Sequence, residues 1–255
     1  MPMMPTDFTW PIALLTAALG VVCGTLNVLA AGGSLLAVPY LIFLGLPAPM
    51  ANATNRVAIL LQNMVSVSTY RHAGMVRVRR HWSLLLTMAV GGLLGALLAT
   101  DINEQLLHNV ICAILVVMFF LLMFDPKRWE SRGMRLFAHH PWLRYVAYFV
   151  VGTYGGFIQM GVGFFLLALL ELGDGLDLLR ANAVKVLCIL TFTAVAIVVF
   201  ASKDLIVWRV GLTLACGNMI GAWIGAKYSM RLGSARLRYV LLAALAISAI
   251  YLFLR

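Results

Sequence analysis

Along the chain, long apolar runs alternate with short polar interruptions. The first run starts near Trp10, reaches about Asn27 and breaks at Ala30-Ala31-Gly32-Gly33-Ser34. It resumes from Leu35 to Leu46, with Pro39 inside and Gly45, Pro47 and Pro49 punctuating its end. Neither piece is a comfortable span of ~20 residues, so the pattern predicts a pair of short or broken helices. A longer helix is expected from about Met50 to Tyr70, followed by a basic loop from Arg71 to Arg80. Trp82–Thr100 and Leu106–Phe124 read as two further spans, joined by an acidic turn holding Asp101 and Glu104. The longest polar stretch, Asp125–Arg144, is the one linker the pattern offers.

The second half repeats this layout. A run from Trp142 is expected to break at Gly155-Gly156 and at Gly161-Val162-Gly163, and a short run to Leu172 ends in Gly173-Asp174-Gly175. A long helix over Arg180–Ala201 and spans over about Leu205–Ala226 and Leu237–Leu254 complete it. The register supports a duplication. At an offset of 130, Gly33 matches Gly163, Leu36 matches Leu166, and Ala51-Asn52-Ala53 matches Ala181-Asn182-Ala183. At an offset of 126, Gly91, Gly95 and Ala96 match Gly217, Gly221 and Ala222. Glycines four apart let helices approach closely.

The expected fold is an all-α polytopic membrane protein built from two inverted repeats. Each repeat is a broken short-helix hairpin plus three longer transmembrane helices. Residues 1–124 form the first, 125–141 a cytoplasmic linker and 142–255 the second.

Composition agrees: 63% of the 255 residues are hydrophobic and 11% charged, where a soluble domain carries roughly 25% charged. A net charge of +10 would suit nucleic acid. The basic residues, however, fall in short loops between apolar segments, as the positive-inside rule requires of a membrane protein. With five crossings per half and the N-terminus outside, 14 cations face the cytoplasm against three outside. With four crossings per half, the best orientation gives 12 against 5. The odd count therefore favours inverted halves. No Lys or Arg falls in the first ten residues, and no convincing cleavage pattern precedes Cys23, so the first run reads as a retained span. All four cysteines lie in apolar segments without metal spacing, and the five histidines form no metal constellation. No metal or cofactor is expected.

The candidate chemistry lies in Ala51-Asn52-Ala53-Thr54-Asn55-Arg56 and its echo Ala181-Asn182-Ala183-Val184-Lys185. Each carries one cation into an apolar run. A membrane-buried cation costs on the order of 2.5–3.5 kcal/mol on insertion scales and by default marks a functional site. Two at near-equivalent places suggest a site for an anion, with Lys185 the shallower. The plainer alternative is that both snorkel to headgroups. The glycine breaks at Gly32, Gly33 and Ser34, and at Gly161 and Gly163, are expected to offer backbone N–H groups and helix N-termini to an anion, or else to permit close packing. Asn52 and Asn182 double as candidate helix caps. Gln62, Asn63, Gln159 and Asn218 sit in apolar runs and are expected to hydrogen-bond between helices. Glu171 is the carboxylate nearest an apolar run, a weak candidate for proton coupling.

Asn27 through Leu36, Pro39 and Ala-Asn-Ala-Thr-Asn at 51–55 resemble the first half of the sulfite exporter TauE/SafE family. Gly155 through Phe164, Leu178 through Ala183, Trp208 and Gly217 through Ala222 are similar to its second half. The chain departs from the family's habit at Ala31, where glycine is common, and at Val162, where a small polar residue is. Both bear on which anion is carried. The resemblance implies a bacterial inner-membrane permease for small sulfur-containing or organic anions, such as sulfite, sulfoacetate or thiosulfate. On this reading Arg56 and Lys185 are the charge partners, with Asn52, Asn55, Asn182, Gly32, Gly33, Ser34, Gly161 and Gly163 about them, and access alternates by rocking of the repeats. The partners expected are a small anion and the bilayer, not nucleic acid. An intramembrane enzyme is disfavoured, because no Ser/His pair, His-rich cluster or paired Asp occurs at plausible spacing. The remaining alternative is a non-transporting structural subunit of a larger membrane complex.

Overall fold

A computed structural model describes residues 8–76, 78–103, 105, 106, 109, 137 and 141–253, and these form helices with no strand among them. Helix α1 (Trp10–Ala30) begins with a proline in its first turn, where the missing N–H costs nothing. It ends at Ala31, which adopts left-handed geometry (φ 57°) and returns its N–H to Asn27 O. After the two glycines the chain restarts as α2 (Ser34–Phe43), a ten-residue helix with Pro39 inside it. Helix α3 (Ala48–His72) follows the turn through Gly45 and Pro47, and its last turn carries the basic residues Arg71 and His72, of which the Arg71 charge suits a helix C-terminus. Then come α4 (Trp82–Asp101), α5 (Pro141–Phe157), and α6 (Val162–Ala168), which continues as a π-helical turn over Leu169–Gly173. The last two are α7 (Leu178–Ser202) and α8 (Trp208–Phe253). Within the described residues, α1, α4 and α7 are long and apolar enough to cross a membrane on length and composition.

The first break falls where the glycines put it; of the two glycine runs expected to break the second hairpin, the one at Gly161 does and the earlier one does not. Gly155 and Gly156 are helical, and the chain breaks only after Phe157, with Gln159 (φ 68°) and Gly161 (φ 70°) both left-handed. The two glycines serve close packing instead. A Cβ on Gly155 would lie 2.7 Å from the Phe192 ring, and one on Gly156 would overlap the Gly92 backbone. Arg144, read as the end of the polar linker, belongs to α5, which starts at Pro141. The two spans expected after Leu205 form one helix of 46 residues. Its midsection, Arg231-Leu232-Gly233-Ser234-Ala235-Arg236, is polar enough to read as a loop. It contains no proline, however, and Arg, Leu and Ala all favour helix. The expected span 106–124 and linker 125–141 lie outside the described residues, but for isolated positions.

The helices pair across the chain. Helix α1 lies against α8, and α5 lies against α4, in both cases through glycines; α3 also packs on α8, and α7 on α4 and α3. A Cβ on Gly20 of α1 would stand 2.5 Å from Leu214 O on α8, and a Cβ on Gly91 of α4 would stand 2.5 Å from Phe149 O on α5. No side chain fits at that separation, so the backbones touch. Large apolar side chains such as Leu14, Leu94, Val150 and Ile220 face outward. In water such a surface would aggregate; in a bilayer it meets lipid.

Candidate functional site

The two breaks meet in the middle of the bundle. Gly163, at the start of α6, abuts Ala31 closely enough that a side chain there would overlap the alanine methyl. At Gly33 the space for a side chain is filled by the Cys23 carbonyl. Between the breaks lies a polar cavity of about 10 Å³, lined by Asn27, Ser34, Gln62, Asn63, Gln159 and Gly163 among others. That is room for about one water molecule.

Arg56 and Lys185 do not line this cavity, and both are fully buried within the protein rather than extended to its surface. Arg56 Nη1 donates to Gly155 O (2.9 Å) and Nη2 to Gly156 O (2.7 Å), at the C-terminal end of α5. Lys185 Nζ donates to Asn27 O (3.1 Å) and Val28 O (3.2 Å), at the C-terminal end of α1. Each cation thus reaches from a long helix to the broken helix of the opposite half of the chain. The last carbonyls of a helix carry the negative end of its dipole, and Asn27 O, which already accepts the Ala31 N–H, has a second lone pair for Lys185, so both placements are favourable. The Arg56 guanidinium also lies 4.8 Å from the Phe200 ring centroid. Among the described residues neither cation has a carboxylate partner, whereas Arg144 pairs with Asp174 and Arg180 with Asp177. The Arg56 Nε is buried without a hydrogen-bond partner.

The two asparagines do not cap their helices. Pro47 and Asp177 occupy the cap positions, and Asp177 accepts from the Arg180 N–H at 3.1 Å. Asn52 and Asn182 lie a turn further in and tie helices together. Asn52 Nδ2 donates to Phe157 O (2.8 Å), and Asn182 Nδ2 donates to the Tyr70 hydroxyl (2.9 Å), which also contacts Ser229 Oγ (2.5 Å). Asn55 is buried beside Arg56 with its Oδ1 unpartnered. Of the glycines and serine at the breaks, Ser34 and Gly163 line the cavity, while Gly32, Gly33 and Gly161 shape the turns behind it.

Polar residues expected only to bridge helices prove central. Asn27 Oδ1 accepts from the Ser34 N–H (3.0 Å), closing the first break. Asn27 Nδ2 (3.2 Å) and Asn218 Nδ2 (2.9 Å) both donate to Gln62 Oε1. Gln159 Nε2 contacts Thr193 Oγ1 at 3.0 Å. Asn63 departs from expectation, because its Nδ2 donates within its own helix, to Ile59 O at 2.7 Å. Thr193 goes unremarked in the sequence and Asn27 reads there only as the end of the first run and the start of a family-like motif, although each is a polar residue at the end of or within an apolar run. Glu171 sits half-buried in the π-helical turn, apart from the cavity's lining.

A second polar cluster stands at the basic end. Arg144 pairs with Asp174 through Nε (2.8 Å) and Nη2 (3.0 Å), and the Tyr148 hydroxyl donates to the same carboxylate at 3.0 Å. This ties the start of α5 to the end of the second hairpin. His81 lies nearby, and burial, followed by the Arg144 and Arg80 charges, lowers its pKa from the ordinary histidine value. Among the described residues no group of acidic, histidine or cysteine side chains is arranged to hold a metal ion.

An all-helical bundle with an apolar exterior, two broken helices meeting at its centre and buried cations at the ends of the broken helices defines a multi-pass membrane transporter. Residues 16–252 match the family model described as sulfite exporter TauE/SafE, and the chain belongs to that family. It is 26% identical to "Probable membrane transporter protein ORF9" of a Sinorhizobium species, over 84% of this chain and 81% of that one. It is 25% identical to a "Probable membrane transporter protein" of Haemophilus influenzae over 86% of each chain. A third relative is "Probable membrane transporter protein YfcA" of Escherichia coli, at 27% identity over 84% of this chain and 80% of that one. No solved structure matches. The protein is a multi-pass bacterial membrane protein of a transporter family, and it acts on a small-molecule substrate within lipid.

Proposed function

We propose that the protein is a permease that exports small anions, sulfur-containing ones such as sulfite, sulfoacetate or thiosulfate, by alternating access at the central breaks. One observation carries this reading: two fully buried cations, Arg56 and Lys185, face the breaks with no carboxylate partner among the described residues. Burying an uncompensated charge costs several kcal/mol, and an anionic substrate is the counter-charge that would offset it. Only two of the five guanidinium N–H groups are engaged, so Arg56 retains donors for an oxyanion while still holding α5. Asn52 and Asn182 tie the cations' helices to their neighbours, Asn55 lies buried beside Arg56, and Gly32, Gly33, Ser34, Gly161 and Gly163 form the backbone between which the anion sits.

The cavity holds about one water, which fits an occluded state. To admit an oxyanion, the breaks at Ala31 and Gly163 must part. Residues 1–124 and 142–255 would be the two inverted repeats that rock against each other around this point. The crossed pairing of α1 with α8 and of α5 with α4 supports two intertwined, related halves. An inside-negative potential favours expelling an anion by ~2.3 kcal/mol per charge per 100 mV, so export needs no further coupling. The test is flux in proteoliposomes, screened across sulfite, thiosulfate, sulfoacetate and simple carboxylates. Saturable flux of at least one, absent from empty vesicles, is expected; no flux of any would overturn the reading.

A further inference from the structure

The hydrogen bonds around the central cavity have a direction fixed by the backbone. The Ser34 N–H can only donate, so the Asn27 atom facing it must be the oxygen. Asn27 therefore presents its NH2 to Gln62, and the Gln62 atom that receives it must be its oxygen, which also receives Asn218. The Gln62 NH2 is left as the remaining polar group of a residue that lines the cavity. On the next residue the same logic runs the other way. The Ile59 carbonyl can only accept, so the Asn63 atom facing it is the nitrogen, and Asn63 Oδ1 stays buried without a partner. Gln159 completes the lining; its partner is the Thr193 hydroxyl, which donates or accepts, so either end of this amide can serve a ligand.

Adjacent residues on α3 thus leave one donor and one acceptor unused at the cavity. A fully ionised oxyanion accepts hydrogen bonds but gives none, and would leave Asn63 Oδ1 orphaned, at a cost of ~1–3 kcal/mol. A small cation would suit Asn63 but not the Gln62 NH2 or Lys185. The ligand that satisfies both carries negative charge and one O–H. We propose that the site selects the monoprotonated form of its oxyanion, hydrogen sulfite over the sulfite dianion, with Gln62 donating to an oxygen and Asn63 accepting from the ligand's O–H. This rests on the anion-permease reading above.

Among the described residues no charged side chain lines the cavity; the buried cations behind its lining are Lys185 from α7, whose Cδ lies 3.4 Å from the position of a Cβ on Gly163, and Arg56 from α3, three residues before Ile59. Their own titration must be separated from the ligand's. The experiment measures initial sulfite flux in proteoliposomes, corrected for empty-vesicle leak, across the pH range where hydrogen sulfite gives up its proton. A sulfonate, which has no proton to lose there, is run in parallel to report titration of the protein. Sulfite flux normalised to sulfonate flux is expected to track hydrogen sulfite concentration, falling about tenfold per pH unit once the dianion predominates. Asn63→Leu is expected to lower the sulfite-to-sulfonate ratio at least tenfold. Gln62→Glu keeps the accepting oxygen and replaces the NH2, and is expected to abolish flux of both. If normalised sulfite flux follows the dianion or ignores pH, or if Asn63→Leu leaves the ratio unchanged, the selectivity proposal is wrong although the permease stands. If no anion moves at all, both fall together.

Discussion

Arg56 and Lys185 do two things at once: each ties down the end of a broken helix and each leaves positive charge at the centre. Arg56→Ala is therefore expected to reduce anion flux at least tenfold at matched protein levels, since a charge-assisted hydrogen bond contributes ~1.5–3 kcal/mol. Arg56→Lys should recover only part of it, because an ammonium cannot span the Gly155 and Gly156 carbonyls and still grip an oxyanion bidentately. Arg56→Glu should be the most severe. With burial equal at both cations, Lys185→Ala should cost as much as Arg56→Ala. Normal flux in Arg56→Ala would move the site away from the cations. At His81 the prediction concerns stability. Its pKa is lowered in the fold, so over the ordinary histidine range the unfolded chain binds the proton more readily. The contribution of neutral His81 is present at higher pH and is lost as pH falls through that range. Thermal unfolding in detergent should show this loss in the wild type and a weaker pH slope in His81→Asn.

At the scale of elements, the bundle depends on backbones in contact and on a few hydroxyl ties. Gly20→Leu on α1 and Gly91→Leu on α4 would force a side chain into space held by the Leu214 and Phe149 carbonyls. Overpacking of this kind costs ~1–3 kcal/mol or more, because rigid backbone cannot yield as a side chain does. Both variants should melt earlier in detergent, whereas Gly74→Leu, with nothing within 4 Å, should gain nothing from collision and lose only to its positive φ. Tyr70→Phe removes the hydroxyl shared by Asn182 and Ser229 and should cost ~1–3 kcal/mol by the same measurement. The short helices were legible because Gly32-Gly33, Pro39 and Gly161 are breakers in an apolar setting. Gly155-Gly156 was misread because a glycine that breaks a helix and one that admits a neighbour look alike until Phe192 and Gly92 are seen beside it. The length of α8 was hidden for the converse reason: polarity suggested a loop where local preference still favoured helix.

Across the whole molecule, the sequence carried the class, the two breaks and both cations, because buried charge in an apolar run has few explanations. It did not carry the cross-linking of halves, since Arg56 to Gly155 and Lys185 to Asn27 join residues that no local pattern relates. Topology remains a prediction. Counted over five crossings per half, the distribution of Lys and Arg predicts both termini outside and residues 125–141 in the cytoplasm, an expectation that the single helix α8 puts to the test at the C-terminus. Impermeant labelling of single cysteines in a cysteine-free background should mark the termini from outside and spare the linker; a linker cysteine labelled from outside would reverse the orientation. The pairing of α1 with α8 also bears on how the protein is made. Thr25 donates to Gly221 O, 196 residues further on, so α1 meets its main packing partner only after most of the intervening chain has been synthesised. Its glycine face must wait in lipid or against an insertion factor throughout translation, and a chain truncated before Trp208 should be a substrate for membrane proteolysis rather than half a transporter.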